Sequence, residues 1–265
     1  MDDYRSVICK AQKPIISFWT SKIFFIKASN PLLYVCYKLG IHQDIVTRVS
    51  IISSIAGGVL LISHSPVMLV IALLLLLLGW ILDHVDGGLA RVRQNKFLGG
   101  MYLDYLGHQL VLPLLFLTFG YGSCTRLDSL WPLLAGAIIA LLTINPINVT
   151  KEHVLVSLIR DIPDLAYRKD IRRLMQDNLW LSDSNVSEHF SFKQIVRELA
   201  LFPGMMFYLP LLALASDQFP LILDGVIGID IRFAYLLAFL VLKVIAVGNK
   251  GIRIYRIFAG TSTTK

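Results

Sequence analysis

A chain of 265 residues that is 55% hydrophobic and only 16% charged, with a mean hydropathy of +0.66, lies far from a soluble domain and reads as an integral membrane protein. Its net charge of +7 does not call for nucleic acid, because the basic residues flank apolar stretches, where the positive-inside bias and anionic headgroups account for them. Three cysteines, Cys9, Cys36 and Cys124, are odd in number and share no metal-ligand spacing, which excludes a disulfide framework and suits ordinary apolar packing.

The opening Met1-Asp-Asp-Tyr-Arg is acidic and is not followed at once by an apolar core, so a cleavable signal peptide is not expected. Lys13–Lys27 then interleaves Phe18, Trp19, Phe24 and Phe25 with Lys13, Lys22 and Lys27. That mixture suits a helix lying in the headgroup plane, the plainer alternative being a short helix packed on the bundle. Pro31 and Gly40 bracket a second short apolar helix. Residues 1–46 are therefore expected to form cytoplasmic interfacial helices, ahead of a membrane domain over 47–265.

The expected fold is all-α, an integral membrane bundle of six transmembrane helices with N-terminal amphipathic, interfacial helices. The spans run over Thr47–Ser63, Val67–Arg91, Gly100–Tyr121, Leu130–Pro146, Glu198–Ala215 and Arg232–Gly248. The second carries no charge from Val67 to Leu82, a run of about 24 Å at about 1.5 Å per residue, slightly short of a hydrocarbon core of roughly 30 Å. Asp83 and Asp86 should thus lie just beneath one headgroup layer. Residues 149–197 form a long connection with helical periodicity of its own and a basic cluster, Arg168, Lys169, Arg172 and Arg173. The cluster reads as a solvated face, or as a lip attracting lipid phosphate. Asn185-Val-Ser187 has the form of a glycosylation acceptor, which a cytoplasmic position would leave unused.

Lysine and arginine set the orientation. Placing the Asp83–Gly100 turn in the cytoplasm also puts there the N-terminal segment, the long connection and the basic C-terminal tail. The opposite loops then hold only Arg126, with Arg232 at an edge.

Chemistry concentrates where the second span ends and the third begins. On a helix, Asp83, Asp86, Gly87 and Ala90 share one face at i, i+3, i+4 and i+7, with Arg91 beside them. Gly100, Asp104 and His108 repeat the pattern at i, i+4 and i+8 on the next helix. A carboxylate near hydrocarbon costs roughly 2.5–3.5 kcal/mol on insertion scales, so it is usually kept for function. Helix capping would explain one aspartate but not three on two faces. Asp83, Asp86 and Asp104 suit Mg²⁺ or Mn²⁺, either singly or as a pair, together with substrate phosphate oxygens. Gly87, Ala90 and Gly100 leave room for a nucleotide to approach the backbone, and Arg91 can pair with its diphosphate. His42 and Asp44, next to Thr47, either line the same pocket or cap the first span through Asp44 or Thr47. Lys243, inside the last span, either snorkels to the interface or reaches the site.

These residues carry a resemblance. Asp83-x2-Asp86-Gly87-x2-Ala90-Arg91-x8-Gly100-x3-Asp104 matches the signature of the CDP-alcohol phosphotransferase family, membrane enzymes of phospholipid head-group synthesis. The approach Gly40-Ile-His-Gln-Asp-Ile-Val-Thr47 also resembles the family, with Gln43 where a proline is usual. The likeness is close from Ser29 to Leu117. It implies metal held by the aspartates, CDP bound along Gly87, Ala90, Arg91 and Gly100, and transfer of a phosphatidyl or phospho-alcohol group to an alcohol acceptor with release of CMP. CDP-diacylglycerol is the favoured donor. Membrane phospholipids are its partners, and a homodimer is a form that members often take.

One position departs: His108 stands where the family has its last aspartate, a catalytic base with Asp104 close by. A neutral imidazole, with an ordinary pKa of about 6.5, can take the acceptor's proton, and this role is favoured. Ligation of the metal by His108, with a shift towards Mn²⁺, is the alternative. The other reading is a catalytically inactive protein that keeps the fold to bind lipid or nucleotide.

Overall fold

The computed structural model describes residues 4–11, 25–94, 98–144, 202–218 and 230–261. Among them the chain is all-helical, with eight helices and no strand. In chain order these are α1 (Tyr4–Ala11), α2 (Ile26–Lys38), α3 (Gln43–Leu60), α4 (Pro66–Val92), α5 (Leu98–Leu127), α6 (Trp131–Thr143), α7 (Phe202–Gln218) and α8 (Ile231–Thr261). Each of the six expected apolar segments corresponds to a helix, α3 to α8. Two stretches, Pro66–Val92 and Leu106–Leu127, are long and apolar enough to cross a membrane, and Trp131–Thr143 is apolar but shorter. Most of the expected Lys13–Lys27 helix and the whole of the 149–197 connection, with its basic cluster, lie outside the described residues.

Two boundaries differ from the sequence reading. Helix α2 begins at Ile26 and runs through Pro31, which therefore lies inside the helix rather than opening it. It ends as expected at Gly40, whose φ of +68° is open to glycine at little cost. The Gly40 amide donates to Tyr37 O and the Ile41 amide to Cys36 O, closing the last carbonyls of α2. Helix α3 starts at Gln43, a turn before Thr47. Its cap is His42, whose Nδ1 accepts from the Asp44 amide at 3.3 Å. Neither Asp44 nor Thr47 fills that role.

The frame around the site is α3 packed on α4. Ser50 Oγ donates to Gly79 O at 2.7 Å and Ser53 Oγ to Leu75 O at 2.8 Å, so hydroxyls on α3 grip carbonyls on α4. The backbones meet closely at Gly79, where an added Cβ would collide with Ser54 Oγ and approach Ser50 O to 3.1 Å. Small residues and hydroxyls bring helices together in this way where lipid offers no hydrophobic drive. An apolar core of Leu69, Leu76, Leu115, Phe116, Ile139 and Leu236 joins α4 to α5, α6 and α8. A second cluster, Val7, Ala11, Leu33, Cys36, Val85 and Leu89, docks α1 and α2 on the C-terminal turns of α4.

The bundle is pinned at the end remote from those turns. Asp230 Oδ1 accepts from the Arg232 and Phe233 amides, capping α8, while its Oδ2 accepts from Ser123 Oγ at 3.1 Å. The Arg232 side chain is fully buried. It donates to Leu61 O at 3.4 Å and Ala213 O at 3.3 Å, and it lies 5.9 Å from the Phe119 ring. Arg126 Nη1 donates to Ser216 Oγ at 2.6 Å.

Candidate active site

The last turns of α4 and the first turns of α5 bring Asp83, Asp104 and His108 together. His108 Nε2 lies 3.2 Å from Asp104 Oδ1 and 3.8 Å from Asp83 Oδ1. One donor atom from each residue falls within 4.8 Å of the other two. The side chains are partly open, 34% for Asp83, 48% for Asp104 and 35% for His108, so solutes can reach them. Two ionised carboxylates at such a range repel by about 3 kcal/mol at an effective dielectric of about 20. A cation placed between them removes that repulsion. The donors are hard oxygens plus one imidazole nitrogen, which fits a divalent ion.

The trio forms the polar wall of a cleft between α3, α4 and α5. Its other walls come from Thr47, Ser50, Ile51 and Ser54 of α3, Gly79 and Trp80 of α4, and Gly107 and Val111 of α5. Gly107 keeps α3 close, since a Cβ there would lie 2.6 Å from Ile51 Cγ1. Trp80 is fixed by Phe25, stacked on it at 4.1 Å between centroids. The cleft thus runs from a charged mouth into an apolar interior threaded by hydroxyls.

Asp86 is placed differently from its neighbours. It is only 8% exposed and accepts from Thr47 Oγ1 at 2.6 Å. It stands behind the trio rather than at the cleft wall, tied to α3. Thr47 Oγ1 also lies 3.1 Å from Gln43 O.

Arg91 lies on the final turn of α4, half-buried, with Nε donating to Ala11 O at 2.7 Å. The C-terminal carbonyl of α1 therefore holds the guanidinium through Nε, a bond in which its two terminal nitrogens take no part. Gly87 sits beside them: a Cβ there would approach Arg91 Nη1 to 3.3 Å. Ala90 is half-buried on the same stretch, and Gly100 falls in the first turn of α5. Gly88 is packed against Leu33 instead, where a Cβ would collide with Leu33 Cδ1.

Of the weaker candidates, His42 is 54% exposed and caps α3, with Asp44 Oδ2 3.5 Å from its Nδ1. Lys243 Nζ lies 5.8 Å from the Phe239 ring. Sequence reasoning passed over Ser50, Ser54, Gly79, Gly107 and the Ala11 carbonyl. A signal existed for the first two: with Thr47 they recur at i, i+3 and i+7, a polar stripe on an otherwise apolar helix. No local signal marks a backbone carbonyl 80 residues from its partner.

The family model described as CDP-alcohol phosphatidyltransferase matches residues 42–164, a stretch that holds Asp83, Asp86, Gly87, Ala90, Arg91, Gly100, Asp104 and His108. No curated protein matches the chain.

Proposed function

Because residues 42–164 match the family model described as CDP-alcohol phosphatidyltransferase, we propose that the protein transfers a phosphatidyl or phospho-alcohol group from a CDP-linked donor to an alcohol acceptor, releasing CMP. CDP-diacylglycerol is the favoured donor. The observation that carries this reading is the convergence of Asp83, Asp104 and His108 at one cleft mouth, with Arg91 on the adjoining turn.

Asp83 and Asp104 would hold a divalent ion, Mg²⁺ or Mn²⁺, with Asp86 behind them or at a second ion. When bound, that ion neutralises charge on the phosphates and on the leaving CMP. Arg91, preset by Ala11 O, is aimed to pair with the diphosphate, so little side-chain entropy remains to be lost on binding. Gly87, Ala90 and Gly100 admit the nucleotide to the helix backbones. The acceptor hydroxyl approaches from the cleft, and its proton passes to Asp104 or His108. The apolar inner walls of the cleft, Ile51, Trp80 and Val111, suit a reaction in which one reactant is a lipid.

We place the helices as six spans with the Asp83 end facing the cytoplasm. Exposed Ile52 (66%), Leu74 (60%) and Leu141 (69%) on the outer surface support a lipid environment. A homodimer in the membrane is part of the same reading.

Purified protein in detergent, given CDP-diacylglycerol or CDP-alcohols, a panel of acceptors and Mg²⁺ or Mn²⁺, should release CMP. Release should require one acceptor class, the metal and Asp83. No release from any donor, with intact nucleotide or lipid binding, would turn the assignment to an inactive protein that keeps the fold.

A further inference from the structure

We infer that His108 is a metal ligand, not a free base, and that its imidazole makes this site select Mn²⁺, and borderline ions such as Zn²⁺, over Mg²⁺. The inference rests on the metal-dependent reading above and deepens it.

The geometry carries it. Around an octahedral ion with ligands at about 2.1 Å, adjacent donors are about 3.0 Å apart and opposite donors about 4.2 Å apart. His108 Nε2 lies 3.2 Å from Asp104 Oδ1, close to the adjacent-donor separation, and 3.8 Å from Asp83 Oδ1, between the two separations. A base acting on an alcohol in the cleft would instead need its lone pair turned to the acceptor. Here the same nitrogen lies within 3.8 Å of an oxygen of each of two carboxylates. Helix α5 sets this arrangement, since Asp104 and His108 are one turn apart and so face the same way.

Asp86 strengthens the argument. Its Oδ2 is occupied by Thr47 Oγ1 at 2.6 Å and the residue is buried. The donor atoms that cluster at the cleft are two carboxylate oxygens and one nitrogen. Such a set carries one less negative charge than three carboxylates. Imidazole suits Zn²⁺, Fe²⁺ or Ni²⁺ best, and Mn²⁺, although content with oxygen ligands, accepts a nitrogen more readily than Mg²⁺, which favours an all-oxygen shell. A nitrogen lone pair committed to an ion is closed to a proton, so ligand and base are exclusive roles.

The test needs no turnover. Full-length protein in detergent is loaded with Mn²⁺ and examined by electron spin-echo envelope modulation, with natural-abundance and ¹⁵N-histidine samples. A ¹⁴N modulation from one directly bound imidazole, changed by the label and kept in His84→Gln, is the expected result. His108→Asp should bind Mn²⁺ without nitrogen modulation, and its preference for Mn²⁺ over Mg²⁺ should fall roughly tenfold or more. Asp83-dependent Mn²⁺ binding with no nitrogen modulation in the wild-type protein would overturn the His108 assignment while leaving the metal site standing. No Asp83-dependent Mn²⁺ binding at all would overturn both.

Discussion

Thr47→Val offers a sharp perturbation, because it removes one hydroxyl and keeps the branched shape. Thr47 Oγ1 and Asp86 Oδ2 are 2.6 Å apart, with the residues 5% and 8% exposed. A hydroxyl–carboxylate contact this short lies in the charge-assisted range, and bonds to a charged group contribute about 1.5–3 kcal/mol net. Burial prevents water from replacing the lost donor, so the full effect should appear. The expected loss is about 1.5–3 kcal/mol, or roughly 3–12 °C in Tm for a chain of this size. The assay is thermal unfolding of detergent-solubilised protein in a double-mutant cycle with Asp86→Asn. With the charge gone, Thr47→Val should cost under about 1 kcal/mol, giving a coupling of about 0.5 kcal/mol or more. Thr47→Ser should keep most of the stability. An equal loss in the Asp86 and Asn backgrounds would refute the reasoning, since the hydroxyl would then act through something other than the carboxylate.

Three further outcomes follow from packing. Val7→Asp should undock α1, because Val7 is fully buried against Leu33, Cys36 and Leu89. Loss of the Ala11 O contact to Arg91 should then raise KM for the CDP donor by roughly fivefold, about 1 kcal/mol, with a smaller change in kcat; unchanged initial-rate kinetics would separate α1 from nucleotide binding. Gly79→Ala should destabilise by about 1–3 kcal/mol through overpacking, and Ser54→Ala should recover part of it in the same unfolding assay. Burial pushes the Cys36 thiol above its ordinary range, an effect Arg93 only partly offsets. A higher pKa means less thiolate at a given pH, so maleimide at pH 7.5 should label exposed Cys9 well before Cys36, and Arg93→Ala should slow Cys36 further.

The helices were legible because each apolar segment is continuous and bounded by charge or proline, a local property of the chain. The pairing of Asp83 with Asp104 and His108 was legible for a related reason: helical spacing puts chemical groups on a face before any contact is known. What spacing could not reveal was which carboxylates share an opening. Asp83 and Asp86 look equivalent along α4, and only the hydroxyl of Thr47, brought by α3 from 39 residues away, separates them. For a cap of α3 the sequence offers Asp44 or Thr47, of which Asp44 is the better intrinsic capper. His42 holds the extended backbone at φ −67° and ψ 140° that a cap requires, so its ring nitrogen takes the amide. Pro31 was read as a helix start because its missing N–H usually marks one, yet α2 passes through it.

The orientation of the bundle gains from two residues that first counted against it. Arg126 and Arg232 were the exceptions to the charge asymmetry, lying on the side expected to be poor in basic residues. Arg126 is bound to Ser216, and Arg232 is fully buried on the carbonyls of Leu61 and Ala213. Neither is a loop charge presented to headgroups; both join helix ends to one another. Discounting them leaves that side without lysine or arginine in its loops, which strengthens the placement of the Asp83 end in the cytoplasm. Single cysteines in a background lacking Cys9, Cys36 and Cys124 would test it. Leu130, 68% exposed, lies at the Arg126 end, and Leu39, 70% exposed, lies at the end that carries Thr47 and Asp86. An impermeant maleimide added outside intact cells should label Leu130→Cys and spare Leu39→Cys until the membrane is opened. The reverse pattern would turn the cleft outward, away from cytoplasmic CDP-linked donors, and the proposed reaction could not then be supplied.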